Sequence, residues 1–328
     1  MVNPREAYLA ITYRCNLKCK MCNIWQRKDL EEISPEEYYK LPSNLNVVNI
    51  SGGEPFLREN IDKIIEILIK KNPRLRIVIS SNGFYTDAIR TKMIKILKIC
   101  PNIEIGISLQ GLNVIHDKVR GVKGSFENAI NSMKMLKDLG IKRLRFSMTF
   151  TPENVHQIKD VYTLSKQFGI EFTGTYAQNS DVYFMKKDNT IPNIHDAIPS
   201  LDYIIRSELA SSKPKKWFRA YYMNCIRDFA NGIPGQFICH AGRRFFFMDP
   251  MGNIFPCIGL NEPIGNITKY NNFNTLFNSD KAIKVRETAD KCQKTCWMVC
   301  NARSTIIRHP IKPILWVTKN KLSVRPNK

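Results

Sequence analysis

The sequence predicts a mixed α/β protein: a partial (β/α)6 barrel of the TIM type, followed by a small cysteine-rich domain. Strand-like and helix-like segments alternate six times between residues 8 and 177, which predicts a parallel sheet with right-handed crossovers. Six such units are too few to close an eight-stranded barrel, so we expect an open, curved sheet. After about residue 221 the pattern changes to short segments punctuated by Gly, Pro and Cys, which indicates a second domain.

Local patterns justify each element of the barrel. Ser34 is a favourable N-cap for a short helix, with Pro35 at its first position. Apolar residues at 61, 64, 65 and 68 have the spacing of one helix face. The predicted strands cover residues 8–12, 47–50, 76–80, 103–108, 143–149 and 171–177, and the longer helices 61–71, 87–99, 125–139 and 154–168. Ligands of such sheets bind at the C-terminal ends of the strands, where the motifs described below fall.

Length and composition suit a folded protein without disulfides. The 328 residues allow one large domain and a smaller one, and a hydrophobic fraction of 43% can fill their cores. No apolar run is long enough to span a bilayer, and the N-terminus is too polar for a secretory signal, so we expect a cytoplasmic protein. We expect four regions: the barrel at 1–180, a connection at 181–220, the cysteine-rich domain at 221–305 and a basic tail at 306–328.

The charge balance is strongly basic, with 50 Lys and Arg against 29 Asp and Glu. A net charge of +21 favours polyanionic partners, although a generally basic, solvated surface explains it equally well. Between residues 303 and 328 the chain carries seven basic residues, no acidic residue, Trp316 and several branched aliphatic residues. This pattern is typical of a segment that lies on an anionic membrane surface; the alternative is that the apolar residues pack on the protein body.

Three cysteines cluster directly after the first predicted strand. Cys15, Cys19 and Cys22 have three and then two residues between them, so one loop can present three thiolates to an iron–sulfur cluster. Three ligands leave a fourth iron open for a substrate or cofactor. A zinc site completed by a ligand elsewhere is the main alternative, although zinc knuckles more often use paired Cys-x-x-Cys motifs.

Small and polar residues end the next three predicted strands. Residues 51–55 read Ser-Gly-Gly-Glu-Pro, and residues 80–83 read Ser-Ser-Asn-Gly. Glycines let a backbone approach a ligand closely, although a Gly-Gly pair alone could belong to any tight turn. Residues 108–111 read Ser-Leu-Gln-Gly and end the fourth strand.

Together these motifs resemble the radical S-adenosylmethionine (SAM) superfamily over residues 8 to about 180. The resemblance implies a [4Fe–4S] cluster on Cys15, Cys19 and Cys22, whose open iron binds SAM. One electron then cleaves SAM to a 5′-deoxyadenosyl radical, which abstracts a hydrogen atom from the substrate. Two positions depart from the family pattern: Met21 stands where an aromatic residue is common, and Gln110 where an Asp is usual.

The same resemblance implies which residues hold SAM. Arg120 would lie near the SAM carboxylate, unless it forms a surface salt bridge with Asp117. Ser147 would reach the ribose, and Ala177 and Gln178 would flank the adenine. The complete predicted set is Gly52, Gly53, Glu54, Pro55, Ser80, Asn82, Ser108, Arg120, Ser147 and Gln178.

Five further cysteines lie between residues 239 and 300 and resemble the SPASM or twitch extension of radical SAM enzymes. This extension carries auxiliary [4Fe–4S] clusters, and a full SPASM domain has seven cysteines and two clusters. The shortage here predicts one auxiliary cluster, with a structural zinc site as the alternative. Ile258 replaces the Asp that sulfatase-maturing relatives use as a base, which argues against that activity. The expected ligands are Cys239, Cys257, Cys296 and Cys300, with Cys292 as the substitute.

These observations predict a radical SAM oxidoreductase acting on an anionic small molecule or a carrier-linked sugar. An electron donor such as flavodoxin or ferredoxin would reduce the cluster. Peptide modification, the common task of SPASM proteins, is the second enzymatic hypothesis. A nucleic-acid-binding iron–sulfur or zinc protein is the third, but it leaves the SAM-binding motifs unexplained.

Overall fold

A computed structural model describes residues 2–235, 237–292 and 296–322 of the chain. Its first half contains six parallel strands joined by helices. The strands are β1 (Glu6–Ala10), β2 (Val47–Ser51), β3 (Arg76–Ser81), β4 (Glu104–Ser108), β5 (Arg143–Phe150) and β6 (Glu171–Tyr176). The helices are α1 (Ile61–Lys71), α2 (Thr86–Ile99), α3 (Asn113–Arg120), α4 (Ser125–Asp138) and α5 (Ile158–Gln167).

The second half adds three strands to the same sheet, and its helices pack against the barrel. Its elements are α6 (Ile198–Leu209), α7 (Pro214–Ala230), β7 (Phe245–Met248), β8 (Asn253–Phe255), β9 (Gly265–Asn266), α8 (Phe273–Phe277), α9 (Asp280–Asp290), α10 (Val299–Arg308) and α11 (Ile311–Lys321). The strand order is β6-β5-β4-β3-β2-β1-β7-β8-β9, and β7 pairs in parallel with β1. The sheet does not close, which confirms the predicted partial barrel.

Most predicted elements are present with small shifts at their ends. Residues 154–168 form a single 3₁₀ turn followed by α5, and the predicted helix at Ser34 is a 3₁₀ helix, Pro35–Lys40. Helix α3 is an addition, since its eight residues are too few for a clear periodic pattern. It ends at Arg120, and the φ of +70° at the following Gly121 is the left-handed conformation common after a helix.

Successive side chains along each strand point to opposite faces of the sheet, and the two faces differ in character. One face is apolar and fully buried beneath the outer helices, as at Ile50, Ile79 and Ile107. The other face is polar and lines the concave side of the barrel, where Asn49, Ser80 and Ser108 lie. The concave face is therefore available for a ligand.

The C-terminal helices pack against the barrel. Trp316 of α11 contacts Tyr221 of α7 with ring centroids 5.6 Å apart, and Lys321 donates to the carbonyl of Leu209 at 2.8 Å. Helix α10 lines the concave face with α7. Within the described residues, no helix has the length and apolar character that crossing a membrane requires.

Candidate functional site

The three-cysteine loop lies at the C-terminal end of β1 and is fixed against α3. The backbone N–H groups of Lys18 and Lys20 donate to the carbonyls of Arg120 and Val119 at 3.0 and 2.9 Å. A Cβ at Gly121 would lie 2.4 Å from the Lys18 carbonyl oxygen, so only glycine permits this approach. The loop therefore holds its shape through backbone contacts and not through the thiols alone.

The loop thiols are partly withdrawn from water, with Cys19 buried and Cys15 and Cys22 half-buried. Burial raises the pKa of both Cys15 and Cys22 to about 12, and the nearby Cys19 adds to each rise. Cys19 is 9% exposed, and its sulfur accepts a hydrogen bond from Arg120 Nη1 at 3.3 Å. Thiolates in this setting need cationic compensation, which iron ions and a neighbouring guanidinium both supply.

The Gly-Gly segment after β2 packs directly on the start of the cysteine loop. Gly53 N–H donates to the Thr12 carbonyl at 2.8 Å. A Cβ at Gly52 would lie 2.2 Å from that same carbonyl oxygen, and Gly52 has a φ of +140°. Tyr183, which sequence analysis did not identify, donates to the Gly52 carbonyl at 3.0 Å and shares a 2.7 Å hydrogen bond with Ser51.

Glu54 joins the ends of β2 and β3. Its buried carboxylate accepts hydrogen bonds from Phe56 N–H at 3.1 Å, Ser81 Oγ at 2.9 Å and Asn82 N–H at 2.7 Å. Burial raises the pKa of Glu54, and these donors oppose the rise. Pro55 opens the one-turn 3₁₀ helix that follows, Pro55–Leu57. The contact between Glu54 and SAM stays a prediction.

Arg120 is buried and points into the site. Nη2 donates to the Ser108 carbonyl at 2.8 Å, while Asp117 instead accepts hydrogen bonds from Gly124, Ser125 and Phe126 at the start of α4. The alternative of a surface Arg120–Asp117 salt bridge is therefore wrong.

Asn189, which sequence analysis did not identify, lies between the cysteine loop and the end of β6. Asn189 Nδ2 donates to the carbonyls of Met21 at 3.1 Å and Gln178 at 3.0 Å. It thereby connects the cysteine loop to the end of β6. Gln178 directs its own amide to the Tyr176 carbonyl at 3.3 Å, and its contact with adenine stays a prediction.

Two buried donors beside the loop fit the expected cofactors. Asn16 Nδ2 and Arg120 Nε have no hydrogen-bond partner among the described residues. Sulfides, thiolates and the carboxylate of SAM are acceptors of the kind that such donors need. With the open fourth position that three thiolates leave, the residues present fit a [4Fe–4S] cluster and SAM.

A second group of thiols gathers between β7, β8 and the start of α10. Burial raises the pKa of Cys257 to about 12, and Cys296 and Cys239 contribute to that rise. Burial also raises the pKa of Cys296 to about 11, with contributions from Cys239 and Cys292. The Cys300 backbone belongs to α10, but its side chain lies outside the described residues. The choice between Cys292 and Cys300 stays open.

The hairpin between β7 and β8 brings Cys257 back toward Cys239. Gly252 occupies its turn with a φ of +84°, and Asp249 accepts hydrogen bonds from the N–H groups of Met251 at 3.0 Å and Asn253 at 2.8 Å. No three His, Cys, Asp or Glu side chains of the described ranges are grouped to hold a metal ion. A [4Fe–4S] cluster is larger than a single metal ion, so its thiolate ligands lie further apart than the ligands of one ion.

A cavity of about 600 Å³ lies on the concave face, between the strands and helices α7 and α10. Predicted SAM-binding residues Ser80, Ser108 and Ser147 line it together with charged residues of the strands and of α7. Concave sites of this size, with a few polar groups in a largely apolar lining, are typical of small-molecule binding.

Comparison with known proteins agrees with this geometry. Residues 9–164 match the model of the radical SAM superfamily, and residues 239–301 match that of an iron–sulfur cluster-binding domain, SPASM. The chain is 30% identical over 284 residues to the AdoMet-dependent heme synthase of Nitratidesulfovibrio vulgaris, covering 78% of this chain and 74% of the relative.

Two further similarities concern a bacteriocin biosynthesis protein and a solved structure with S-adenosylmethionine bound. The chain is 26% identical over 297 residues to the antilisterial bacteriocin subtilosin biosynthesis protein AlbA of Bacillus subtilis, covering 84% of this chain and 60% of AlbA. The fold resembles that of Streptococcus suis SuiB bound to S-adenosylmethionine, with a TM-score of 0.64, 20% identity and coverage of 86% of this chain and 68% of SuiB.

Proposed function

The chain belongs to the radical SAM superfamily and carries its SPASM iron–sulfur extension, and we propose that it abstracts a hydrogen atom from a substrate bound in the barrel cavity. The bound cluster and SAM supply the radical that does this chemistry. The residues of the chain orient SAM, hold the substrate beside it and exclude water.

One observation supports the proposal above the others: the predicted SAM contacts and the cavity are continuous. Ser108 and Ser147 are register partners on β4 and β5, and both line the cavity. Arg120 connects Ser108 to the cysteine loop through its two terminal nitrogens. A substrate in the cavity therefore lies next to the place where SAM would bind.

The charge of the cavity favours an anionic small molecule or a carrier-linked sugar with an anionic group. Five cationic side chains line it, and four of them pair with Glu104, Glu171 or Glu6, which leaves Arg145 without a hydrogen-bonded counter-ion. An acidic substrate would gain from this field at short range, where water screens less. The cationic side chains are Arg76, Arg145, Lys215, Arg219 and Arg303.

Peptide modification is the second candidate activity, and the similarity to AlbA supports it. SuiB has also been solved bound to its precursor peptide SuiA. This chain spans 60% of the length of AlbA. We propose that a flavodoxin- or ferredoxin-type protein supplies electrons in either case.

Helices α10 and α11 present an apolar face to solvent, and we propose that this face rests on an anionic membrane surface. We define the tail face as Ile307, which also lines the cavity, together with Ile311, Ile314 and Leu315; their exposures are 60, 73, 48 and 65%. Basic residues flank it, and residues 303–328 contain no acidic residue. Apolar residues bordered by lysine and arginine are typical of helices that lie in a membrane interface. Residues 323–328 of the predicted tail lie outside the described residues.

Formation of 5′-deoxyadenosine tests the activity. With dithionite and SAM, the anaerobically reconstituted protein should release it slowly without substrate, and Cys19→Ala should abolish the release. Release of S-adenosylhomocysteine alone would contradict the proposal, because it indicates methyl transfer. Adding peptides and small molecules to the same assay in separate experiments shows which class of substrate accelerates the reaction.

A further inference from the structure

The concave face of the barrel contains a group of ion pairs at the level of β3, β4 and β5. The Glu104 carboxylate accepts from Arg76 through both Nε, at 2.7 Å, and Nη2. Arg143 Nη1 donates to the same carboxylate at 3.0 Å. Both oxygens of Glu104 are thus already occupied by two other arginines.

Arg145 lies beside this group without a hydrogen-bonded counter-ion. Its Nη1 is 3.8 Å from Glu104 Oε2, and its side chain makes no other ion pair or hydrogen bond with any described residue. Glu171, its register partner on β6, is bound by Lys215 at 2.6 Å and Arg219 at 2.9 Å. The other nearby carboxylate is therefore also engaged.

The Arg145 side chain is directed into the cavity. It is 17% exposed, and it is one of the residues that line the 600 Å³ space. Gly106 on the adjacent strand makes room for it, because a Cβ there would lie 3.0 Å from Arg145 Nε. Burial lowers the pKa of Arg145, but an arginine remains charged at any physiological pH.

Polar side chains with no hydrogen-bond partner among the described residues line the same cavity as this guanidinium. The side chains of Asn49, Ser80, Ser147 and Thr173 line the same cavity and have no hydrogen-bond partner within the described parts of the chain. Ser147 is two residues beyond Arg145 on the same face of β5, a rise of about 6.6 Å. A ligand group bound to Arg145 would thus lie about 6.6 Å along β5 from the predicted ribose contact, on the side away from the C-terminal end of the strand.

We propose that Arg145 binds a carboxylate or phosphate group of the substrate and anchors it beneath SAM. The guanidinium offers a planar pair of N–H donors, which suits bidentate binding of either anion. The neighbouring polar side chains would complete the shell of the anion. This inference rests on the proposed function and adds the chemical class of the substrate and its orientation in the cavity.

Titration calorimetry tests this inference. The reconstituted protein, with SAM present, is titrated separately with inorganic phosphate and with malonate at constant ionic strength. We expect saturable binding of at least one probe, and the tighter one identifies the anion. Arg145→Gln should weaken it at least tenfold. Arg90→Gln removes the same charge from an exposed position on α2 and should change the dissociation constant less than twofold.

Arg145→Lys keeps the charge but loses the paired donors, so we expect at least threefold weaker binding even if Arg145→Gln fails to fold. Equal affinity of the wild type and a folded Arg145 variant would overturn the proposal, as would the absence of saturable binding. If one of these results is obtained and the wild type forms 5′-deoxyadenosine, this inference fails and the proposed function stands. If the wild type forms no 5′-deoxyadenosine, the proposed function fails as well.

Discussion

The Arg120 guanidinium connects the cysteine loop to the fourth strand: Nη1 donates to Cys19 Sγ at 3.3 Å, and Nη2 donates to the Ser108 carbonyl at 2.8 Å. Its Nε has no partner among the described residues. One buried cation therefore contacts a proposed cluster ligand and keeps a donor for a further anion. This position suits the carboxylate of SAM, as the sequence resemblance implies.

Arg120→Ala should weaken SAM binding. A hydrogen bond to a charged group is worth about 1.5–3 kcal/mol, which corresponds to a rise in KM for SAM of about tenfold or more. Formation of 5′-deoxyadenosine at varied SAM concentration measures this. Lys118→Ala, on the exposed side of the same helix, is the matched control. An unchanged KM in Arg120→Ala would show that Arg120 only positions the loop.

Removing the three loop cysteines together should remove one cluster. Anaerobic reconstitution of the wild type should give about eight iron atoms per chain, since two groups of thiols each suit a four-iron cluster. Changing Cys15, Cys19 and Cys22 to Ala should leave about half of that iron. Cys100→Ala should lose none, because Cys100 lies in the hydrophobic core. Unchanged iron content in the triple variant would refute the ligand assignment.

Gly52→Ala should disrupt the site through a backbone clash. The added Cβ would meet the Thr12 carbonyl oxygen at 2.2 Å, so β1 and β2 must separate where the cysteine loop begins. We expect a loss of stability of at least about 2 kcal/mol, in the range of overpacked sites, together with reduced iron content. Denaturant unfolding and iron analysis measure the two effects.

Gly140→Ala separates the clash from backbone strain. Gly140 also has a positive φ, of +79°, but a Cβ added there would have no neighbouring atom within 4 Å. This substitution should cost about 1 kcal/mol or less and leave iron content unchanged. Similar losses in the two variants would mean that strain, and not the contact with Thr12, explains the result.

The sequence predicted those parts of the site that are local in the chain. The cysteine loop and the Gly-Gly segment each follow a strand directly, and the parallel pairing of β1 and β2 then brings them together. Tyr183 could not be found in this way, because it reaches Gly52 across 131 residues. Asn189 reaches Met21 across 168 residues, again without a local signal.

The pairing of β7 with β1 was also beyond sequence reasoning. Phe245–Met248 is only four residues long, and its hydrophobic run resembles any buried strand. Its place in the sheet depends on contacts between Leu9 and Met248, which are far apart in the chain. The charged residues of the cavity were likewise visible only once alternate strand residues were placed on one face.

The tail face supplies the last prediction, that the protein binds acidic liposomes through Ile311 and Leu315. Truncation after Asn301 would be a poor test, because Ala302, Arg303 and Ile306 line the cavity. Changing Ile311 and Leu315 together to Ser should weaken binding at least tenfold, since burying one such side chain is worth about 1.5–3 kcal/mol. Cosedimentation with vesicles of anionic and of neutral lipid measures this.

Salt and a matched variant identify the source of the binding. Each Lys or Arg near an anionic surface contributes about 1 kcal/mol, and exposed charges are screened within about 8 Å at physiological ionic strength, so added salt should weaken the wild type. Ile283→Ser, on an exposed position of α9, should bind like the wild type. If the double variant also binds like the wild type, basic residues elsewhere on this +21 protein carry the interaction and the tail face is not the membrane contact. If the wild type does not bind acidic vesicles, the tail face does not contact a membrane and the proposal fails.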